Sequence, residues 1–279
     1  SQLATCPWLG HALLYIVPTP IGHLDDITLR ALSTLRTVDV IFAEDTRHTR
    51  RLLDHHRIGS PSLGVISCHD HNEEKRVQLL LDHVEAGRSV ALVSDAGTPT
   101  ISDPGYRLVS GALSHGIQVV PLPGACAAIT ALSASGLPSD RFTFAGFPPK
   151  KAGARRRWLD ELATAPGTLI LYCAGRDVPK VLSDILASRG DVPVAVYREV
   201  TKTYEECLRG AASEVHADWV GNPRKGEVTL LAGRPHARDY DDAALMEFLR
   251  ERTVKEVAAD TGVSRRRLYQ LNLQLKGQD

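Results

Sequence analysis

Apolar residues fall into short runs rich in branched side chains, separated by polar stretches of turn formers, and this rhythm sets the elements. Leu13-Leu14-Tyr15-Ile16-Val17 predicts a strand that stops at Pro18-Thr19-Pro20-Ile21-Gly22. Asp25, Asp26 and Thr28 offer N-caps to a helix whose Leu29, Leu32 and Leu35 keep helical spacing. Val38 to Ala43 predicts a second strand, ending in the loop Glu44-Asp45-Thr46-Arg47-His48. Leu63 to Ser67 predicts a short third strand before Cys68-His69-Asp70-His71-Asn72-Glu73. An amphipathic helix over 75–85, closed by Gly87, leads into Ser89-Val90-Ala91-Leu92-Val93, and a helix over 105–115 leads into Val119-Val120. Strands alternating with helices at this spacing predict a mostly parallel sheet, with loops 18–23, 44–48, 68–73 and 94–105 gathered along one edge.

Pro123-Gly124, a small-residue helix over 125–135 and Gly136-Leu137-Pro138 read as a hinge. Beyond it, strands are predicted at 142–147, 169–173, 194–198 and 227–232, with a helix over 178–189. The runs 202–209 and 226–233 suit an antiparallel or mixed sheet. From Ala237 the character is helical, and 253–269 reads like a helix-turn-helix: Val257, Ala258 and Ala259 pack before a turn at Gly262, and Ser264 caps the next helix. The fold class is therefore α/β, with an N-terminal αβ domain over 13–122, a second over 123–236 and a small helical tail over 237–279.

The connection after Val93 holds more turn chemistry than a strand-to-helix link needs. Asp95, Gly97, Pro99, Asp103, Pro104 and Gly105 fall within eleven residues. Open α/β sheets bind ligands at the carboxyl ends of their strands, and glycine lets backbone approach a ligand closely. A dinucleotide fingerprint is excluded, because GxGxxG is missing and Pro99 and Pro104 would break the helix that must follow it. No GxxxxGK[ST] phosphate loop occurs either.

Composition narrows this further. The 279 residues carry 33 basic and 33 acidic side chains, so polyanion binding must come from local clusters and not from an overall field. Such clusters exist: Lys150 and Lys151 with Arg155, Arg156 and Arg157; Arg47, Arg50, Arg51 and Arg57; Arg224 and Lys225; and Arg265, Arg266 and Arg267. The first has no acid between 150 and 157 and adjoins Trp158, as RNA phosphate binding requires. Five cysteines without a CxxC, and no N-terminal signal pattern, suit a reduced cytoplasmic protein. The most apolar long stretch, 119–137, is broken by Pro121, Pro123 and Gly124 and makes a poor membrane span. His69 and His71 lack an evident third ligand, so no metal is expected.

Four long motifs bring a family into view. Leu14 to Gly22, Ala43-Glu44-Asp45-Thr46-Arg47-His48-Thr49, Ser94 to Pro99 with Ser102 to Tyr106, and Pro121-Leu122-Pro123-Gly124 closely resemble the ribosomal small-subunit methyltransferase I family of the tetrapyrrole methylase superfamily. Gly146-Phe147-Pro148, Arg198 to Lys202 and Lys225-Gly226-Glu227 extend the match in the family's order. Tyr172 to Asp177 departs from the pattern. The resemblance implies two αβ domains with S-adenosylmethionine in a cleft between them, and a homodimer that methylates the ribose 2′-oxygen of a cytidine in the decoding region of 16S rRNA, on free RNA or the small ribosomal subunit. It places the donor against Pro18, Asp95, Ala96, Gly97, Thr98, Ile101, Cys126, Ala127, Cys173 and Val200.

A ribose hydroxyl is a weak nucleophile, so positioning and a base at its proton would both help. Asp45, Glu44 and Glu199 are the candidate bases, with Arg47 and Lys202 as phosphate-binding or orienting groups. Two rivals remain: a tetrapyrrole C-methyltransferase of the same fold, and a non-catalytic nucleic-acid-binding protein built around the tail.

Overall fold

A computed structural model describes residues 13–69, 72–163, 165, 167–234, 241–261 and 263–276. The chain forms two compact units, one of residues through Thr130 together with Glu199–Glu205, the other of Ala131–Arg198 and the chain from Glu206.

In the first unit the order is β1 (Leu13–Ile16), α1 (Leu29–Thr37), β2 (Val40–Ala43), α2 (Thr46–His55), β3 (Val65–Ser67), α3 (Glu73–Glu85), β4 (Val90–Val93), α4 (Tyr106–Ser114) and β5 (Gln118–Pro121). Its five strands lie in the order β3-β2-β4-β1-β5, all parallel. Successive side chains of a strand point to opposite faces. Leu13, Ile41, Ala91 and Val93 accordingly pack with Ala31 and Leu35 of α1 and Leu53 of α2. Leu14, Phe42, Val90 and Leu92 pack on the other face with Leu80 of α3 and Leu108 and Ala112 of α4. Burial on both faces is why these strands read as unbroken apolar runs. Thr28 caps α1 as expected, its hydroxyl accepting from the Ala31 amide at 3.0 Å.

α5 (Ala127–Ala134) carries the chain across the division, which falls after Thr130. The expected boundary at 122/123 precedes it, because the Pro-Gly turn is fastened to the first sheet's loops.

The second unit holds β6 (Phe142–Gly146), α6 (Ala152–Glu161), β7 (Thr168–Ala174), α7 (Val178–Arg189), β8 (Pro193–Arg198), β9 (Glu206–Ala211), α8 (Ala212–Gly221) and β10 (Glu227–Ala232). Its sheet runs β6-β7-β10-β8-β9, parallel at β6-β7 and antiparallel elsewhere, as the mixed reading expected. Trp219 anchors its core at 1% exposure, with its indole N–H on the Gly175 carbonyl at 2.9 Å. α9 (Asp242–Glu251), α10 (Val254–Thr261) and α11 (Arg265–Lys276) enclose a separate small core of Leu245, Leu249, Val254, Val257, Val263, Leu268 and Leu271. The expected turn residue Gly262 lies outside the described residues.

Three helices were not foreseen: α2, α6 and α8. The run expected to pair from Lys202 does so only from Glu206. Residues 199–205 instead form a tight turn in which Lys202 N donates to Glu199 O and Glu205 N to Lys202 O. Among the described residues no helix is long and apolar enough to cross a membrane.

Candidate functional site

Three loops of the first unit are tied into one floor at the carboxyl edge of the sheet. Thr19 and Gly97 exchange both backbone hydrogen bonds, at 2.9 and 3.0 Å, linking the loops after β1 and β4. The Thr19 hydroxyl donates to the Ser94 carbonyl at 3.0 Å, and the Thr98 hydroxyl to the Ala125 carbonyl at 2.9 Å. The second bond brings in the turn after β5. Gly97 has φ +89, a left-handed conformation that favours glycine, and a Cβ at Gly124 would stand 2.4 Å from Pro18 Cβ. Thr100 and Ser102 sit at φ +75 and +64, so the surrounding loop holds strained residues where open sheets bind ligands. Pro18, Ala96, Gly97, Thr98, Cys126 and Ala127 thus lie on or next to a single assembly.

A cavity of about 380 Å³ opens beside this floor, within the size of small-molecule pockets. Ile21, Asp25, Asp26, Gly124, Ala125, Thr130 and Thr201 line it. None of the expected donor residues does so, although Cys126 and Val200 are chain neighbours of the wall residues Ala125 and Thr201. The turn 199–205 reaches this region through Thr201, whose hydroxyl accepts from the His23 amide at 3.2 Å. Glu199 and Thr201 themselves have φ +51 and +65.

The other expected donor residues are placed differently. Ile101 is exposed. Asp95 is committed within the fold: its Oδ1 accepts from the Asp45 amide at 3.0 Å, and its own amide donates to Glu44 Oε2 at 3.3 Å. Cys173 belongs to the core of the second unit at 5% exposure, and burial, helped by Asp177, pushes its thiol up to about 12. Its side chain is a packing element.

The catalytic candidates form two groups. Glu44, Asp45 and Arg47 stand at the end of β2, where the expected loop is the start of α2. Asp45 is the N-cap, accepting from the Arg47 amide at 2.8 Å and pairing with the Arg47 guanidinium at 2.8 Å. Those bonds hold its carboxyl well below the ordinary range and raise Arg47 in turn. A carboxylate stabilised this way is a weaker proton acceptor, and the same bonds make Asp45 the cap of α2 with Arg47 as its ion-pair partner. Glu199 and Lys202 form the second group, an ion pair at 3.4 Å on the 199–205 turn.

Among the RNA candidates, Lys150, Lys151, Arg156 and Arg157 are exposed on or beside α6. Arg155 is not: it turns inward and bonds Asp184 of α7 at 2.7 Å, with side chains 9% and 5% exposed. The run looks uniformly basic in sequence, but the helical period sends its middle member into the core beside a carboxylate 29 residues away. Arg265, Arg266 and Arg267 are exposed on the first turn of α11, and Arg267 pairs with Asp242 at 2.7 Å. Of the histidine motif, Asp70 and His71 lie outside the described residues, among which no cluster of three metal-ligating side chains occurs.

A sheet of this order, with three loops joined over its carboxyl edge and a mixed second sheet following, is the architecture of tetrapyrrole methylases. Residues 13–216 match the family model for Tetrapyrrole (Corrin/Porphyrin) Methylases. The fold is shared with a cobalamin-biosynthetic cobalt precorrin-4 methyltransferase at TM-score 0.58 and 22% identity, covering 79% of this chain and 94% of that one. It is shared also with a Thermus thermophilus uroporphyrin-III C-methyltransferase complexed with S-adenyl homocysteine, at TM-score 0.53 and 22% identity over 79% and 97%. Sequence relatives are much nearer. Ribosomal RNA small subunit methyltransferase I of Vibrio cholerae serotype O1 is 46% identical over 260 residues, 90% of this chain and 89% of that protein. Its counterpart in Escherichia coli O157:H7 is 46% identical over 277 residues, 95% and 96% of the two chains. The chain belongs to the ribosomal RNA small subunit methyltransferase I family, within the tetrapyrrole methylases.

Proposed function

We propose that the protein methylates the ribose 2′-oxygen of a cytidine in the decoding region of 16S rRNA, using S-adenosylmethionine. Identity of 46% over almost the whole chain to proteins named as small-subunit rRNA methyltransferases is the observation that carries the coarser half of this reading, an rRNA methyltransferase. The donor follows from the family, and the floor of the site fits it. Gly97 and Gly124 leave bare backbone where any side chain would crowd the joined loops, and the cavity beside them is of ligand size. Bound against this floor, S-adenosylmethionine would supply an electrophilic methyl group, its S–C bond breaking as the 2′-oxygen bonds to the carbon, and would depart as S-adenosylhomocysteine.

The chain's own part is placement and proton removal. Pro18, Ala96, Gly97 and Thr98, with Cys126, Ala127 and Val200, hold the donor; Glu44 and Glu199 are the preferred acceptors for the hydroxyl proton, since the bonds from Arg47 weaken Asp45 as a proton acceptor. Lys150, Lys151, Arg156, Arg157, Arg265 and Arg266 supply phosphate contacts. The protein works as a cytoplasmic homodimer, a state consistent with Leu29 and Tyr106 of the first unit being 85% and 73% exposed, and sedimentation would test it.

Incubation with labelled donor and isolated small subunits, followed by mapping of ribose methylation, decides the matter. One modified cytidine in the decoding region is expected. Methylation of a porphyrin-type acceptor in preference to rRNA would replace this reading with the tetrapyrrole one, and a failure to bind the donor in calorimetry would leave a nucleic-acid-binding protein.

A further inference from the structure

α2 begins at the floor of the site and is strongly basic along its outer side. From 46 to 57 the sequence has four arginines, Arg47, Arg50, Arg51 and Arg57, against a single acid, Asp54. Thr49, Leu52 and Leu53 are buried, so the helical period turns Arg47, Arg50 and Arg51 to one exposed face. Arg47 is neutralised by Asp45. Arg50, Arg51 and Arg57 make no ion pair with a described residue, although Asp54 stands three and four places along the helix from Arg51 and Arg50. Arg36 of α1 joins the far end, donating to the His56 carbonyl at 3.5 Å.

The near end is fastened to the donor loop. The amide of Asp45, the cap of α2, donates to Asp95, and the Asp95 amide donates back to Glu44. A ten-residue helix is about 15 Å long, room for about four phosphates of a stacked strand. We propose that this face of α2 is the track for the sugar–phosphate backbone of the rRNA strand flanking the target nucleotide. Arg50 and Arg51 grip the phosphates, Arg57 stands just past the end of the helix, and the cap of α2 delivers the strand to the donor loop. The proposal rests on the rRNA-methyltransferase reading and adds the surface that feeds it. Guanidinium groups suit the task, since their fork of N–H donors matches phosphate oxygens and positions a strand without reading its bases.

The test uses the full-length protein with Arg50→Glu/Arg51→Glu, and with Arg50→Lys/Arg51→Lys as the charge-preserving control. Filter binding of 16S rRNA is measured at several salt concentrations beside methylation of small subunits. The glutamate pair is expected to weaken rRNA binding and raise KM about tenfold, and to flatten the slope of log affinity against log salt by about 1.4, two single-strand phosphate contacts. Donor affinity by calorimetry should stay within twofold, and the lysine pair should keep most of the slope. Wild-type affinity and slope in the glutamate pair would overturn the proposal, as would a loss that is equal at every salt concentration. Failure of the wild-type protein to methylate subunits is a separate result, against the enzyme reading; the filter-binding comparison still decides whether α2 holds RNA.

Discussion

Asp45 and Arg155 show how a single side chain changes meaning once its neighbours are known. Asp45 is drawn far below the usual carboxylate range by Arg47, so it stays ionised through the whole neutral range. A group with a depressed pKa stabilises the fold fully above its unfolded value near 4 and loses that contribution only as pH falls through the folded value, here in strongly acid solution. Asp45→Asn should therefore keep the acid limb of the pH–rate profile, while Asp45→Ala, which removes the cap, lowers the melting temperature. Loss of that limb in Asp45→Asn would restore Asp45 as a base. Arg155 makes the opposite point. Truncating it leaves Asp184, at 5% exposure, with only the exposed Arg156, whose Nε stands at 3.1 Å, and Arg155→Ala should cost about 2–3 kcal/mol in denaturant unfolding. Arg157→Ala, on the exposed side of the same helix, should stay within about 0.5 kcal/mol of wild type. Equal effects at the two positions would refute the buried pair.

Elements with many apolar residues were readable, and elements defined by one buried stripe under a charged surface were not. β1, β2 and β4 are buried on both faces, so their runs stand out unaided. α2 has three buried residues in ten, Thr49, Leu52 and Leu53, and its five Arg and His residues read as a loop. The cap was visible in Asp45, but the motif around it drew attention to chemistry instead. α6 was obscured in the same way by its arginines. The joined loops were legible in part: the glycines and prolines of 94–105 announced special backbone, whereas the bonds from Thr19 to Gly97 and from Thr98 to Ala125 depend on strand order, which no local pattern encodes. Gly124 offers a direct check on that joint. Its missing side chain lets the turn after β5 lie against Pro18, and Gly124→Ala would set a carbon 2.4 Å from the proline ring. The loops must part, so donor affinity should fall at least tenfold in calorimetry with the fold retained. Unchanged affinity would separate Gly124 from the donor site.

At the scale of the molecule, the three C-terminal helices stand apart energetically, because their core draws only on their own residues. A module this small has only a few kcal/mol in hand, and a buried Leu→Ala costs about 2–5 kcal/mol. Leu268→Ala, at a fully buried position, should abolish hydrogen-exchange protection across 242–276 while the two sheets keep theirs and donor affinity is preserved. Loss of protection in both sheets would show that the module is part of one cooperative unit.

The turn 199–205 belongs to the first unit although the chain reaches it only after residues 131–198 of the second have been laid down. Synthesis of a protein is vectorial, and at roughly 5–20 residues per second the 75 residues from 130 to 205 take roughly 4–15 s. Through that interval a nascent chain can complete its five-stranded parallel sheet, yet the cavity still lacks the wall supplied by Thr201. That cavity is thus finished late, after its scaffold, and a ribosome stalled between these points holds a folded sheet whose cavity is still open on one side.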